Sequence, residues 1–300
     1  MSGIFRTGNF AWQGGPVNAN PVSTDTVRDL LTRQFPQWSR LPIERIGAHG
    51  TVNTVFRLGD HLTARFPRHD TEDLLAEARA ARELLGVTRF ATPQPLAIGE
   101  PGPGFPRRWA VQTWLPGTVA SENSHSTAIS LGYDLAELVQ GVRGMDTRGR
   151  PFRGRGRGGD LRAHDDWMAE CFRQSEPMLD VGPLRALWAE LRELPRESPD
   201  VMTHGDLIPG NLLTEGDRLI GVLDVGMLGP ADPALDLICG WHLFDDPVRE
   251  AWRTAVGGTG LDWARGRAWA FVQAMGLVWY YVETNPVMAG LGRSTLRRVA

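Results

Sequence analysis

The chain contains no lysine: all 32 of its basic residues are arginine. Any mechanism built on a lysine Schiff base, including pyridoxal phosphate anchoring, is therefore excluded. So is a P-loop with its phosphate-binding lysine. Cysteine is almost missing too. Cys171 and Cys239 stand far apart in apolar helical patterns, which allows neither a disulfide framework nor a zinc site from cysteines alone, and both read as buried free thiols. The seven histidines form no HxxxH or HExxH pair. Nor is there an excess of one charge. Thirty-two basic residues face 35 acidic ones, for a net charge near −3, so no global basic field exists to attract nucleic acid. The longest apolar run, Ala268–Val282, is interrupted by Gln273 and falls short of the roughly 18–20 residues a membrane span needs. Met1–Asn20 has no apolar run and does not read as a signal peptide. The expectation is a cytoplasmic protein with neither a nucleic-acid nor a membrane partner.

What is present is ordinary globular material: 300 residues, 42% hydrophobic, enough for one large or two medium domains. Residues 1–20 read as a flexible segment. Ser23 or Thr24 can cap a helix running to about Phe35, with Val27, Leu30 and Leu31 on one face. The period then shortens, and the pattern predicts strands at Leu41–Ala48, Thr51–Leu58 and His61–Arg68 in an antiparallel meander, punctuated by Gly47, Gly50, Gly59 and Asp60. A helix is predicted at Thr71–Leu85, then strands at Gln94–Gly99 and Trp109–Leu115. Beyond Pro116-Gly117 the chain turns helical: 127–142, 162–172, 184–191, 233–244, 247–256, 263–283 and 288–299. Two strand-like patches interrupt it, near Asn211–Leu213 and Leu219–Asp224. The division is thus an N-terminal β-rich lobe, 21–115, and a larger helical lobe, 116–300, hinged at 116–117. Between Arg148 and Arg157 lie five arginines and no acid, with glycines at 149, 154, 156 and 158. This reads as a solvated loop. The acids beyond it oppose a nucleic-acid face.

The chemically informative stretch is Val201-Met-Thr-His-Gly-Asp-Leu-Ile-Pro-Gly-Asn-Leu-Leu213, followed by Asp224-Val225-Gly226. Asp and Asn in one loop, then a strand pair ending in Asp-x-Gly, suit phosphoryl transfer. One carboxylate, Asp206, faces the attacking hydroxyl. An amide oxygen, Asn211, and a second carboxylate, Asp224, hold Mg2+ on nucleotide phosphates. Magnesium takes hard oxygen ligands and only one or two from protein.

These motifs, together with Pro209 and Asp232-Pro233-Ala234-x-Asp236-Leu237, resemble the aminoglycoside phosphotransferase family over roughly residues 25–300. The resemblance implies an α+β, protein-kinase-like bilobal fold with a small antiparallel-sheet lobe and a larger, mostly helical lobe. It implies an enzyme that moves the γ-phosphoryl group of ATP or GTP to a hydroxyl of a small molecule. The expected acceptor is an aminoglycoside; a macrolide, another antibiotic, a metabolite or a catalytically silent nucleotide binder are alternatives.

The same resemblance assigns roles. Gly47, Gly50 and Asn53 form a loop over the phosphates, although by themselves they are only a hairpin turn. Arg65 stands where the family has a phosphate-pairing lysine, and Glu77 is its helix partner. Thr113 and Leu115 offer main chain to the purine. His204 holds the catalytic loop and Asp236 braces its backbone. Asp232 before Pro233 reads as a helix N-cap. Acceptor-lining candidates are Asp160, Asp165, Asp166, Glu170, Trp241, Asp245, Asp246, Trp279, Tyr280 and Glu283. Acids would suit a polycation and aromatics a sugar or macrolide face; individually each is also an ordinary helix-surface or core residue.

Overall fold

A computed structural model describes residues 22–46, 53–68, 73–154 and 156–300. The expected flexible segment 1–20 and the loop glycines Gly47 and Gly50 lie outside these residues. Ser23 caps the first helix, α1 (Thr24–Gln34), by accepting from the Thr26 N–H. Val27, Leu30 and Leu31 form its buried stripe. Three strands follow, β1 (Ile43–Arg45), β2 (Asn53–Leu58) and β3 (Leu62–Pro67), then helix α2 (Leu74–Leu84), capped by Asp73. Strands β4 (Pro95–Gly99) and β5 (Trp109–Thr113) complete an antiparallel sheet of order β1-β2-β3-β5-β4.

Alternation along these strands separates two faces. Phe56, Leu58, Phe66, Trp109 and Val111 bury against the α1 stripe. The Phe66 and Trp109 rings stack there at 5.1 Å. Arg65, out of phase with Phe66 by one residue, turns to the other face, toward α2. The sheet lobe therefore packs its apolar side against α1 and aims Arg65 at α2.

The second part begins after Gly117. Strand β6 (Thr118–Val119) leads to a short helix, α3 (Glu122–His125), then α4 (Ile129–Arg143), α5 (Asp165–Ser175) and α6 (Val181–Leu191). Four short strands follow: β7 (Val201–Thr203), β8 (Leu212–Glu215), β9 (Arg218–Val222) and β10 (Gly229–Ala231). They form a β6-β8-β9 sheet and a β7-β10 pair, both antiparallel. Helices α7 (Cys239–Leu243), α8 (Asp246–Val256), α9 (Gly260–Tyr280) and α10 (Pro286–Val299) close the fold. Helix α9 is the axis of the large core. A Thr259–Asp262 capping box starts it, and its run from Ala268 to Val278 is buried throughout. That burial accounts for the longest apolar run without a membrane. Among the described residues no helix is long and apolar enough to cross one. Cys171 and Cys239 are free, buried thiols.

Several expectations are corrected here. The helix predicted at 233–244 is a 3-10 turn, Leu235–Ile238, followed by the brief α7. Asp232 does more than cap that turn. Its Oδ1 accepts from the Ala234 N–H at 3.0 Å, while Oδ2 accepts from Arg265 Nε at 2.7 Å and from Trp269 Nε1 at 3.0 Å. This ion pair is fully buried. The helix expected from 162 starts at Asp165, because residues 161–164 wind as a 3-10 turn capped by Asp160. Strands β6, β7 and β10 are two or three residues long, too short for a period to register in the sequence.

The arginine loop is a second correction. Arg150 pairs with Glu83 at 2.6 Å, and Phe152 N–H donates to Asp200 at 3.0 Å. Gly158 has φ +106°, and a Cβ on it would lie 2.7 Å from that of Ala231. The loop is packed, not merely solvated; Arg155 lies outside the described residues.

Two stability predictions follow from this packing. Arg265→Met strands the Asp232 carboxylate in the core, and urea denaturation at neutral pH is expected to show a loss of about 3–5 kcal/mol. His164 is buried against Trp269, and desolvation together with Arg157 pushes its pKa down to about 4. The unfolded chain therefore binds a proton that the folded chain refuses. The neutral-His164 contribution is complete above about pH 6.5 and is lost progressively toward pH 4, at about 1.4 kcal/mol per pH unit. His164→Leu is expected to flatten the fall in denaturation midpoint over that window.

Candidate active site

Strand β7 ends at Thr203, and His204-Gly205-Asp206 follow it directly. Asp236, with no exposed surface, fixes the start of this loop: its Oδ2 accepts from the His204 N–H at 2.7 Å and its Oδ1 from the Gly205 N–H at 2.9 Å. Burial pushes the Asp236 carboxyl up from its usual range, and the neighbouring His204 and these two N–H groups pull against that shift. Gly205 sits at φ +86°, where a Cβ would come within 2.9 Å of Met227. Glycine is required there on both counts. His204 is fully buried. Its Nε2 donates to Leu223 O at 3.0 Å, and its Nδ1 accepts from the Asp206 N–H at 3.3 Å. Both ring nitrogens are thus spent on main chain, which ties the loop to the end of β9.

Asp206 is held from three sides. Arg157 Nη2 donates to its Oδ1 at 2.7 Å, and Gln273 Nε2 donates to the same oxygen at 2.9 Å. Asn211 Nδ2 donates to the Asp206 main-chain oxygen at 2.9 Å and to its Oδ2 at 3.2 Å. Desolvation alone would raise the Asp206 carboxyl; the Arg157 guanidinium overrides it and holds the group below the usual carboxylate range. Because the Asn211 amide nitrogen faces Asp206, its amide oxygen is left pointing away from that residue.

Asp224 follows β9, and the Leu223 N–H donates to Asn211 O at 2.8 Å. Its φ of 55° is left-handed, a conformation aspartate tolerates better than most residues. Its carboxylate is open to solvent but recessed among Arg65, Asp206 and Glu77. The protein around it raises its proton affinity, and Arg65 opposes that rise. Among the described residues no hydrogen-bond donor occupies that carboxylate. Arg65 forms an ion pair with Glu77 across β3 and α2, and Glu77 packs beside Gly226.

A carboxylate with open lone pairs and an outward amide oxygen are hard donors that fit Mg2+. No group of three or more His, Cys, Asp or Glu among the described residues could hold a metal unaided. That suits an ion that takes most of its ligands from water and phosphate.

Other candidates distribute differently. The Thr113 N–H is already bonded to Gln94 O at 3.0 Å, and its hydroxyl accepts from the Gln94 N–H at 2.9 Å. Its main-chain donor is therefore not available to a purine. The Leu115 N–H has no main-chain partner among the described residues. Asn53 is buried at the start of β2.

Of the acceptor candidates, Trp241 is buried with its ring 4.5 Å from that of Trp263, and the two line a surface pocket of about 430 Å³ together with Asp246, Arg249 and Arg298. Asp165 is committed to Arg192 (2.8 Å to Nε) and Trp188 Nε1. Glu170 is held by Arg173 and Gln174, Asp245 by Arg298 at 3.3 Å, and Asp246 by Arg249. Asp160, Asp166 and Glu283 are exposed with no ion-pair partner among the described residues. Trp279 and Tyr280 are half-buried, with ring centres 5.7 Å apart. The sequence reading missed Arg157 and Gln273 as neighbours of Asp206. The signal for Gln273 was present: it is the polar residue that breaks the apolar run of α9.

The sheet lobe with its Arg65–Glu77 pair, set over a loop that gathers Asp206, Asn211 and Asp224, defines the kinase-like class of phosphotransferase folds. The model of the phosphotransferase enzyme family matches residues 43–269, and the chain belongs to that family. An aminoglycoside 3'-phosphotransferase of Streptomyces fradiae is 30% identical over 190 residues, which are 59% of this chain and 66% of that protein. One from Escherichia coli is 43% identical over 61 residues, 22% of its length. The chain thus spans just under two thirds of the first relative and about a fifth of the second. Among solved structures, the GDP and kanamycin complex of APH(2")-IIia superposes with a TM-score of 0.72 at 18% identity, covering 91% of this chain and 97% of that one. The macrolide 2'-phosphotransferase MphH of Brachybacterium faecium gives 0.59 at 19% identity, covering 90% and 98%. The α+β, protein-kinase-like bilobal fold is therefore established.

The brace beneath the loop has a measurable consequence. Asp236→Ala strands two buried N–H groups, at about 1–3 kcal/mol each. Chemical denaturation is expected to show that loss, with Asp236→Asn milder because it keeps one acceptor oxygen.

Proposed function

We propose that the protein is a nucleoside-triphosphate-dependent O-phosphotransferase that moves the γ-phosphoryl group to a hydroxyl of a small molecule, with an aminoglycoside as the leading acceptor. The observation that carries this reading is the convergence of Asp206, Asn211 and Asp224 after β7, before β8 and after β9, beside the Arg65–Glu77 pair. Phosphoryl transfer passes through a loose transition state, so the protein mainly positions groups and neutralises charge. Asp206 orients the acceptor hydroxyl and takes its proton late. Asn211 and Asp224 would hold Mg2+, which when bound neutralises charge on the nucleotide phosphates. Arg65, steadied by Glu77, offers the cation that a lysine would otherwise supply, and Asn53 stands at the edge of the phosphate loop. The Leu115 N–H, with no main-chain partner among the described residues, would be a main-chain donor for the base, with ATP and GTP both open as donors.

The relatives support the acceptor class through their names as aminoglycoside and macrolide phosphotransferases. Within this chain, the exposed Asp160, Asp166 and Glu283 and the rings of Trp279 and Tyr280 remain the candidates for acceptor contact. Asp165, Glu170, Asp245 and Asp246, neutralised by arginines, offer less attraction to a polycation than the bare sequence implies.

The decisive experiment is an acceptor screen across aminoglycosides, macrolides and polyols, following ATP and GTP consumption. Transfer to at least one hydroxyl acceptor is expected. Nucleotide binding with no transfer to any member would replace the reading with that of a silent nucleotide binder. With an acceptor in hand, Asp206→Asn should cut turnover by at least about 10²-fold while nucleotide affinity, measured by calorimetry, changes little. Asp224→Ala should abolish the magnesium dependence of nucleotide binding. Arg65→Ala should impair turnover far more than Arg65→Lys, which keeps a charge near the phosphates.

A further inference from the structure

Gln273 is 7% exposed and sits mid-way along α9. Its amide lies between two groups that can bond in one sense only. The Arg157 guanidinium, a pure donor, contacts the amide oxygen. The Asp206 carboxylate accepts from the amide nitrogen. Turning the amide over would set oxygen against carboxylate and NH2 against guanidinium, so its orientation is fixed.

The remaining polarity follows from that orientation. His242 Nε2 lies 3.1 Å from the amide oxygen and must donate to it. His242 Nδ1 then accepts from the Thr295 hydroxyl at 2.8 Å. Both residues have no exposed surface, and burial pushes the His242 pKa down to about 4, so the ring is neutral at pH 7. Every hydrogen bond from Thr295 through His242 and Gln273 therefore points toward Asp206 Oδ1.

We propose that Gln273, oriented by this Thr295–His242 chain, is a positioning residue for phosphoryl transfer: it engages Oδ1 of Asp206 so that Oδ2, whose only side-chain donor among the described residues is Asn211 at 3.2 Å, is the oxygen presented to the acceptor hydroxyl. The proposal rests on the phosphotransferase reading above. Arg157 binds the same oxygen, but it comes from a loop, whereas Gln273 and its two supports stand on α9, α7 and α10. The loop brings the charge, and the helices fix the direction. A free aspartate rotates about two side-chain bonds. A displacement of about 1 Å in a reacting group costs on the order of 10²-fold in rate.

The test compares Gln273→Leu and Gln273→Glu with the wild type. The second keeps the shape but puts an oxygen where the donor was. Both are expected to lower kcat by about 10- to 100-fold, with KM for nucleotide and acceptor within about threefold and one nucleotide still bound per chain. His242→Gln, which restores a donor toward Gln273, should recover most of the activity that His242→Leu loses. An unchanged kcat in both Gln273 variants, or a kcat and nucleotide affinity that fall together, would overturn the proposal.

Crystal structures of the wild type and Gln273→Leu (or Gln273→Glu, if leucine prevents folding) give an arm that needs no acceptor. The Asp206 carboxylate should rotate in the variant; an unmoved carboxylate refutes the positioning role. A wild type that phosphorylates nothing would instead refute the phosphotransferase reading, and the crystal comparison would still decide this one.

Discussion

The site depends on a buried carboxylate that faces no substrate. Asp236 accepts the N–H groups of His204 and Gly205 and so fixes the direction in which the chain leaves β7. Placing a carboxylate in the core is unfavourable by itself, and it is tolerated because both oxygens are spent on donors that would otherwise be stranded. From that anchor the geometry follows in order. His204 pins the loop to the end of β9, Asn211 folds back on Asp206, and Asp224 emerges beside the Arg65–Glu77 pair. Each contact is local, yet together they join three short strands that have no large sheet of their own to hold them.

Arginine has a different place in this molecule from the one its distribution in the sequence suggests. A cluster of five within ten positions looks like a surface feature, but Arg150 and Arg157 both turn inward to carboxylates. Elsewhere Arg192, Arg173, Arg298 and Arg249 pair with Asp165, Glu170, Asp245 and Asp246. Arg265 does the same in the core, where its fork satisfies Asp232 together with the main-chain oxygens of Leu194, Pro195 and Gly159. A planar fork can bridge several acceptors at once, so a chain with this one kind of strong cation ties loops together through it.

That an antiparallel sheet precedes a mostly helical part was legible from the change of period along the sequence. The sheet strands and long helices were legible because burial on one face imposes alternation or a 3.6-residue repeat. Asp206, Asn211 and Asp224 were legible because their spacing is set by the chemistry proposed for them. Strands β6, β7 and β10 were not, because two or three residues carry no period. The turn at Leu235–Ile238 was not, because its geometry answers to the Asp232–Arg265 pair, whose members are far apart in sequence. Thr113 looked available for a purine until the pairing with Gln94 used its N–H. Arg157 and Gln273 meet Asp206 only through tertiary structure, and the packing of Trp241 on Trp263 likewise appears only there.

The Arg65–Glu77 pair also sets how the cleft responds to chemical probes. A guanidinium does not lose its charge at any pH a folded protein survives, and it is a poor nucleophile compared with a deprotonated amine. Nucleotide analogues that carry an aldehyde or an activated ester, designed to trap an ε-amino group beside the phosphates, find no such group here. The same holds over the entire surface, where amine-directed cross-linkers have no side chain to react with. Covalent mapping of this site would have to use dicarbonyl reagents that condense with guanidinium groups, Arg65 and Arg157 among them.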